Sequence, residues 1–178
     1  MTFFKQLLDL LINTSILVGI AICALLGITE ISSSIPFNHQ LEIFVFLGTI
    51  VGYNFLKYFP VTFKTSAELF KQHLSVIFVS ALAFVGAMYF YFQLQKNLQI
   101  GFMIMAGLVC IYPYVRKYGI VKIIVVSFCV TAITAYLPVL SVKPITGETY
   151  LFILQRFIMV ICLLIPVEIL DLNIYNKS

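Results

Sequence analysis

Charged side chains are scarce in this chain of 178 residues: they make up 10% of it, whereas a soluble domain carries about 25%. Hydrophobic residues account for 62% of the sequence, and the mean hydropathy is +1.08. Because so much apolar surface must face something other than water, the composition excludes a soluble globule and most soluble enzyme folds. The basic residues form no cluster suited to a phosphate backbone, so nucleic acid is excluded as a partner.

Cysteine and histidine lack the spacing of metal ligands. The cysteines form no CxxC pair and lie inside apolar runs, where they are predicted to be small core residues: Cys23, Cys110, Cys129 and Cys162. His39 and His73 lie at the borders of such runs and are predicted to be interfacial. No nucleophile elbow or glycine-rich phosphate loop occurs, which leaves hydrolases and nucleotide-dependent enzymes without support.

Six apolar runs are long enough to cross a membrane. Lipid offers the backbone no hydrogen-bond partner, so a spanning segment is helical and needs about 20 mostly apolar residues. The six predicted helices are Leu7–Ile28, Leu41–Phe59, His73–Phe92, Leu98–Val115, Ile120–Leu140 and Tyr150–Leu170. The sequence therefore predicts an all-α polytopic transmembrane helix bundle of six spans in a lipid bilayer, with residues 1–178 forming a single membrane domain.

Basic residues favour one set of connections between the spans. On one side lie Lys5, Lys57, Lys64, Lys71, Arg116, Lys117, Lys122 and Lys177. On the other side lie Lys96 and Lys143. Because cytoplasmic connections carry an excess of lysine and arginine, the sequence predicts that the N-terminus and the C-terminus are both cytoplasmic, in an inner or plasma membrane.

Arg156 lies about two turns into the sixth predicted span. An arginine inside a span is a candidate functional residue, but its long stem also allows the guanidinium to reach the interface between membrane and water. Glu148 is a partner for it only if the preceding loop folds back. The sequence favours the structural role.

The second span ends in a polar and aromatic stretch, Gly48–Tyr58, with the sequence GTIVGYNFLKY. Asn54 lies about one turn before the predicted helix end, at a depth where an amide needs a hydrogen-bond partner. Two interpretations stay open. The amide either forms an interhelical hydrogen bond that fixes packing, or it is a polar ligand in a cavity that opens to the cytoplasm.

The sixth span ends in a similar polar stretch, Pro166–Leu172, with the sequence PVEILDL. Glu168 and Asp171 are three residues apart, so their carboxylates share one helix face and suit a hard divalent cation such as Mg²⁺. Pro166 removes one backbone hydrogen bond and is expected to kink the helix and redirect both acids. The alternative is an ordinary polar helix end.

Together, these two stretches resemble the UbiA-type intramembrane prenyltransferases. In that family the second and the sixth helix each carry an aspartate-rich motif at the cytoplasmic end, and facing carboxylates hold Mg²⁺ on the diphosphate of an isoprenoid. The resemblance implies that Glu168 and Asp171 bind Mg²⁺ and that Asn54 positions a polyprenyl diphosphate. It implies further that Tyr53 shields the allylic cation while the prenyl group passes to an acceptor.

The chain departs from the family pattern in charge and in length. The family's first motif places aspartates four and eight residues after the asparagine, but this chain has Tyr58 and Thr62 there. Three basic residues, Lys57, Arg116 and Lys117, either bind the diphosphate directly or only set the topology.

Family members have roughly nine helices and this chain has six predicted ones, so a second chain that completes the bundle is an expected partner. It is either a separately encoded remainder or a second copy of this chain, unless the gene is interrupted and no partner exists. The alternative function is a noncatalytic membrane scaffold or transport accessory subunit, in which buried polar residues only hold helices together.

Overall fold

The structure is a computed structural model that describes the backbone of residues 11, 13–62, 74–115, 119–142, 144 and 146–175. Side chains are described for the same residues except 59–62, 75, 115, 119–120 and 167–175. The helices are α1 (Ile16–Ser32), α2 (His39–Thr62), α3 (Leu74–Tyr91), α4 (Lys96–Val115), α5 (Gly119–Thr131), α6 (Leu137–Val142) and α7 (Gly147–Tyr175). A π-helical turn, Ala132–Tyr136, joins α5 to α6. The predicted all-helical architecture is confirmed for the described part of the chain.

Four of the described helical segments are long and apolar enough to cross a membrane: His39–Tyr58, Lys96–Tyr114, Val121–Val142 and Gly147–Pro166. Two shorter apolar helices, Ile16–Ser32 and Val76–Tyr91, accompany them. Helices of this length and composition are typical of a multi-pass membrane protein. The number of six spans and the cytoplasmic position of the termini stay predictions.

The first predicted helix, Leu7–Ile28, is wrong at two places. Thr14 and Ser15 form a turn before α1 begins, and Ser15 has a φ of 62° in the left-handed region. Helix α1 then continues to Ser32 instead of ending at Ile28. The hydropathy of an apolar run measures only its transfer into lipid, so it contains no information on a local turn whose polar groups are bonded to neighbouring helices.

The π-helical turn has a local cause in Pro138. Proline has no N–H to donate to the carbonyl of Thr134, and its ring crowds that carbonyl. The backbone widens there, and the N–H of Leu137 donates to the carbonyl of Ala132, five residues back. Thr134 is fully buried in this turn, and α1 packs against the turn.

Helix α2 is the centre of the first half of the bundle and packs against α1 and α3, whereas the described part of α7 packs mainly against α5. Small residues permit close approach between helices. A Cβ atom on Gly86 would lie 2.9 Å from Leu47. The buried apolar core joins four helices, the π-helical turn and the connection between α3 and α4, and consists of Leu26, Leu41, Val45, Leu94, Leu98, Phe102, Met105, Ala132 and Leu137.

Large apolar side chains also cover the outside of the bundle. On α3 and just beyond it, one face carries side chains that are 66–70% exposed: Phe78, Leu82, Val85, Tyr89 and Phe92. Such a continuous apolar face suits lipid. The prediction that all four cysteines are core residues is accordingly wrong for Cys110 and Cys162, which are exposed, while Cys129 is buried. In a lipid-facing protein an apolar run has no single inward face, so position within the run does not establish burial.

Candidate functional site

Asn54 of α2 is buried, with 3% of its surface exposed, and its side chain bonds to three other residues. The Nδ2 group donates to the backbone carbonyl of Thr14 at 3.1 Å and to the hydroxyl of Ser80 on α3 at 2.9 Å. Its Oδ1 atom accepts a hydrogen bond from the Ser15 hydroxyl at 2.5 Å. We call Thr14, Ser15, Asn54 and Ser80 the Asn54 cluster.

The turn before α1 gives the Asn54 cluster its shape. Because Ser15 has left-handed backbone geometry, the helix is interrupted and the carbonyl of Thr14 becomes available to accept from Asn54. One turn further along α2, the hydroxyl of Tyr58 donates to the carbonyl of Asn13 at 3.1 Å. An amide and a phenol of α2 thus bind the interrupted backbone and fix the start of α1 against α2 and α3.

These bonds limit what Asn54 can do chemically. An amide side chain has two N–H donors, and both are used by Thr14 and Ser80. Neither donor remains for a diphosphate in this arrangement. The geometry matches the packing interpretation of Asn54, in which an interhelical hydrogen bond fixes the position of the helices.

Two of the other predicted substrate-binding residues are near Asn54 in sequence but differ from it in exposure. Tyr53 is 47% exposed. Lys57 is also exposed, and its ammonium lies 5.2 Å from the ring centroid of Tyr58 in a cation–π contact. Arg116 and Lys117 lie outside the described residues.

The predicted metal ligands Glu168 and Asp171 belong to α7, but their side chains are outside the described part of the chain. The described part of α7 packs mainly against α5, while the Asn54 cluster joins the start of α1 to α2 and α3. Among the described residues, no three His, Cys, Asp or Glu side chains group closely enough to hold a metal ion. The Mg²⁺ site stays a prediction.

Glu30, near the far end of α1, is a buried polar residue that the sequence reasoning missed. Only 1% of its surface is exposed. Its Oε1 atom accepts a hydrogen bond from the backbone N–H of Asn38 at 3.3 Å, whereas its Oε2 atom is buried and has no hydrogen-bond partner among the described residues. The predicted helix ended at Ile28, two residues before Glu30.

The connection between α1 and α2 explains why Glu30 is buried. At the end of α1 the N–H of Ile35 donates to the carbonyl of Glu30 at 2.9 Å and the N–H of Ser34 to the carbonyl of Ile31 at 3.1 Å. This is a Schellman arrangement, with Ser34 in the left-handed region at a φ of 49°. It turns the chain back over the helix end, so that Asn38 meets the Glu30 carboxylate.

Asn38 also starts α2, because its Oδ1 atom accepts from the N–H of Leu41 at 3.1 Å, as in a helix N-cap. The Glu30 carboxylate therefore lies at the start of α2, where the backbone N–H of Asn38 donates to it. In the first turn of α2, His39 Nδ1 lies 3.0 Å from Glu42 Oε2. The His39 side chain is exposed, and its interfacial position stays a prediction; His73 lies outside the described residues.

The Arg156 guanidinium is buried inside the protein and does not use the route to the interface that its long stem would allow. Arg156 is 5% exposed, and its Nη2 group donates to the hydroxyl of Thr29 on α1 at 3.2 Å. Its guanidinium lies 5.5 Å from the ring centroid of Phe152. No carboxylate of the described residues, Glu148 included, forms an ion pair with it. The hydrogen bond to Thr29 links this buried guanidinium to α1.

Comparison with protein-family models, with curated proteins and with solved structures finds no match to this chain. The resemblance to the UbiA-type prenyltransferases therefore stays a prediction that rests on the two sequence stretches alone.

Proposed function

We propose that this protein is a noncatalytic, multi-pass membrane subunit, either a scaffold or a transport accessory. The observation that carries the proposal is the set of bonds made by Asn54. A residue that positions a diphosphate must keep a donor for it, yet both donors of Asn54 go to Thr14 and Ser80.

The exposed surface supports the same function. The apolar face of α3 from Phe78 to Phe92 is suited to lipid or to the apolar spans of another membrane protein. In a membrane, helix association depends on small residues that allow close approach and on polar side chains that bond between helices. Gly86 against Leu47 and the Asn54 cluster are examples of these two devices.

Binding of a labelled polyprenyl diphosphate tests the proposal against the prenyltransferase prediction. Purified protein in neutral detergent is titrated with the labelled lipid in the presence of Mg²⁺ and again in the presence of a chelator. We expect no saturable binding that depends on Mg²⁺. Saturable binding with Mg²⁺ that is lost in Glu168→Gln or Asp171→Asn, and kept in the control Glu148→Gln, would overturn the proposal and support the prenyltransferase instead.

A further inference from the structure

A partly open cavity of about 380 Å³ lies where the connection between α1 and α2 meets α6. Its size is within the range of pockets that hold small ligands, about 300–1,000 Å³. Polar side chains contribute to its wall from three parts of the chain, namely Glu30, Asn38, His39, Gln40, Gln95 and Ser141. Apolar side chains of Ile35, Pro36 and Phe37 form another part of the wall.

Glu30 is the group in this wall whose bonding is incomplete. Its Oε2 atom is buried and lacks a hydrogen-bond partner among the described residues, although the same carboxylate accepts from Asn38 through Oε1. A buried carboxylate oxygen without a donor is strongly unfavourable. A ligand that supplies both an N–H donor and a positive charge would remove that penalty.

A second acid lies beside Glu30. The carboxyl group of Glu42 on α2 is close to that of Glu30, and it adds negative charge to this end of the bundle. His39 pairs with Glu42, and the Arg156 guanidinium donates to Thr29. Among the described residues no lysine or arginine lines the cavity, and His39, which does line it, is the residue paired with Glu42, so the wall stays complementary to a cation.

We propose that this cavity binds a primary ammonium group, which either a small amine or the headgroup of a lipid supplies. The ammonium donates to Glu30 Oε2 and to side-chain oxygens of the polar wall, while the attached carbon atoms contact Ile35, Pro36 and Phe37. The site is at the opposite end of α1 from the Asn54 cluster, so the proposal holds or fails independently of the proposed function.

Calorimetric titration with butylammonium tests the site in purified full-length protein in a neutral detergent. We expect saturable binding by the wild type, at least tenfold weaker binding by Glu30→Gln, and unchanged affinity in Glu148→Gln, which removes an exposed acid outside the cavity. Tetramethylammonium has the same charge but no N–H group, and we expect at least tenfold weaker binding for it. Absence of saturable binding, or equal affinity for the two cations, overturns the proposal, as does equal affinity of Glu30→Gln and the wild type. The comparison of the two cations uses the wild type alone, so it tests the ammonium site even if Glu30→Gln does not fold.

Nanodiscs distinguish the two sources of the ammonium group. Butylammonium affinity is measured in phosphatidylglycerol nanodiscs with and without phosphatidylethanolamine. If the lipid headgroup is the natural ligand, phosphatidylethanolamine competes and lowers the apparent affinity several-fold in the wild type. If a small amine is the ligand, the affinity is the same in both nanodiscs. In either case the ammonium site itself is supported.

Discussion

The buried polar side chains at the two ends of α1 differ in how completely they are hydrogen-bonded. At one end, the side chain of Asn54 bonds to Thr14, Ser15 and Ser80, and both of its N–H donors are used. At the other end, Glu30 has one carboxylate oxygen without a partner among the described residues. Arg156 of α7, which reaches this end of α1, donates a single hydrogen bond to the described residues, to Thr29.

This difference separates structural polar residues from residues available to a ligand. A buried group whose partners are all protein atoms contributes to stability and fixes helix positions. A buried group with an unmet bond lowers stability, so its presence calls for a compensating contribution such as ligand binding. Replacement of Asn54 at one end should therefore lower stability, whereas replacement of the incompletely bonded Arg156 at the other end should raise it.

The largest expected effect is at the Asn54 cluster. Asn54→Ala removes three hydrogen bonds and leaves Thr14, Ser15 and Ser80 without these partners, so the free energy of unfolding should fall by about 2–3 kcal/mol. Far-UV circular dichroism in mixed micelles measures it. The control Asn97→Ala removes an exposed amide on α4 and should change stability by less than about 0.5 kcal/mol. Equal stability of the two variants would contradict the structural role of Asn54.

A smaller effect of opposite sign is expected at Arg156. Arg156→Met replaces a buried cation that lacks an ion-pair partner among the described residues with an apolar side chain of similar length, and stability should rise by about 1–2 kcal/mol. Thr29→Val removes the acceptor of the Arg156 bond and should cost about 1 kcal/mol in the wild type. The same change should cost less once Arg156 is replaced. A loss of stability in Arg156→Met would contradict the difference inferred between the fully bonded Asn54 and the incompletely bonded Arg156.

The smallest effect concerns the two serines with positive φ, Ser15 and Ser34. Ser34→Gly relieves left-handed strain at an exposed position and should raise stability by about 1 kcal/mol. Ser15→Gly relieves similar strain but removes the hydroxyl that bonds to Asn54, so it should give no net gain. Thermal unfolding of both variants in the same detergent measures the difference. A gain of similar size in both would show that the Ser15 hydroxyl contributes little.

Much of the fold could be predicted from the sequence, because lipid imposes helices on long apolar runs. Helices α2 to α4 and α7 occur where the runs Leu41–Phe59, His73–Phe92, Leu98–Val115 and Tyr150–Leu170 predicted them. The turn at Ser15 was missed because a serine in the left-handed region has no sequence signal comparable to glycine. The π-helical turn at Pro138 was missed for a different reason, since a proline inside an apolar run predicts a kink but does not indicate its form.

The polar residues were harder to interpret than the helices. Asn54 was identified as a residue that needs a partner, and two interpretations stayed open because the sequence did not reveal which groups face it. Glu30 was missed, since its burial depends on Asn38 folding back from the following connection. Arg156 was placed inside the sixth predicted span, but its partner Thr29 could not be identified because it lies 127 residues away.

By itself, the sequence determined that the chain is a helical protein with segments suited to a membrane, because hydropathy and length act locally along each run. Only the tertiary structure decided which buried polar groups are bonded and which are not. The partners of Asn54 come from 26 to 40 residues away, and a hydrogen bond depends on distances of a few ångströms that only the packing of helices sets.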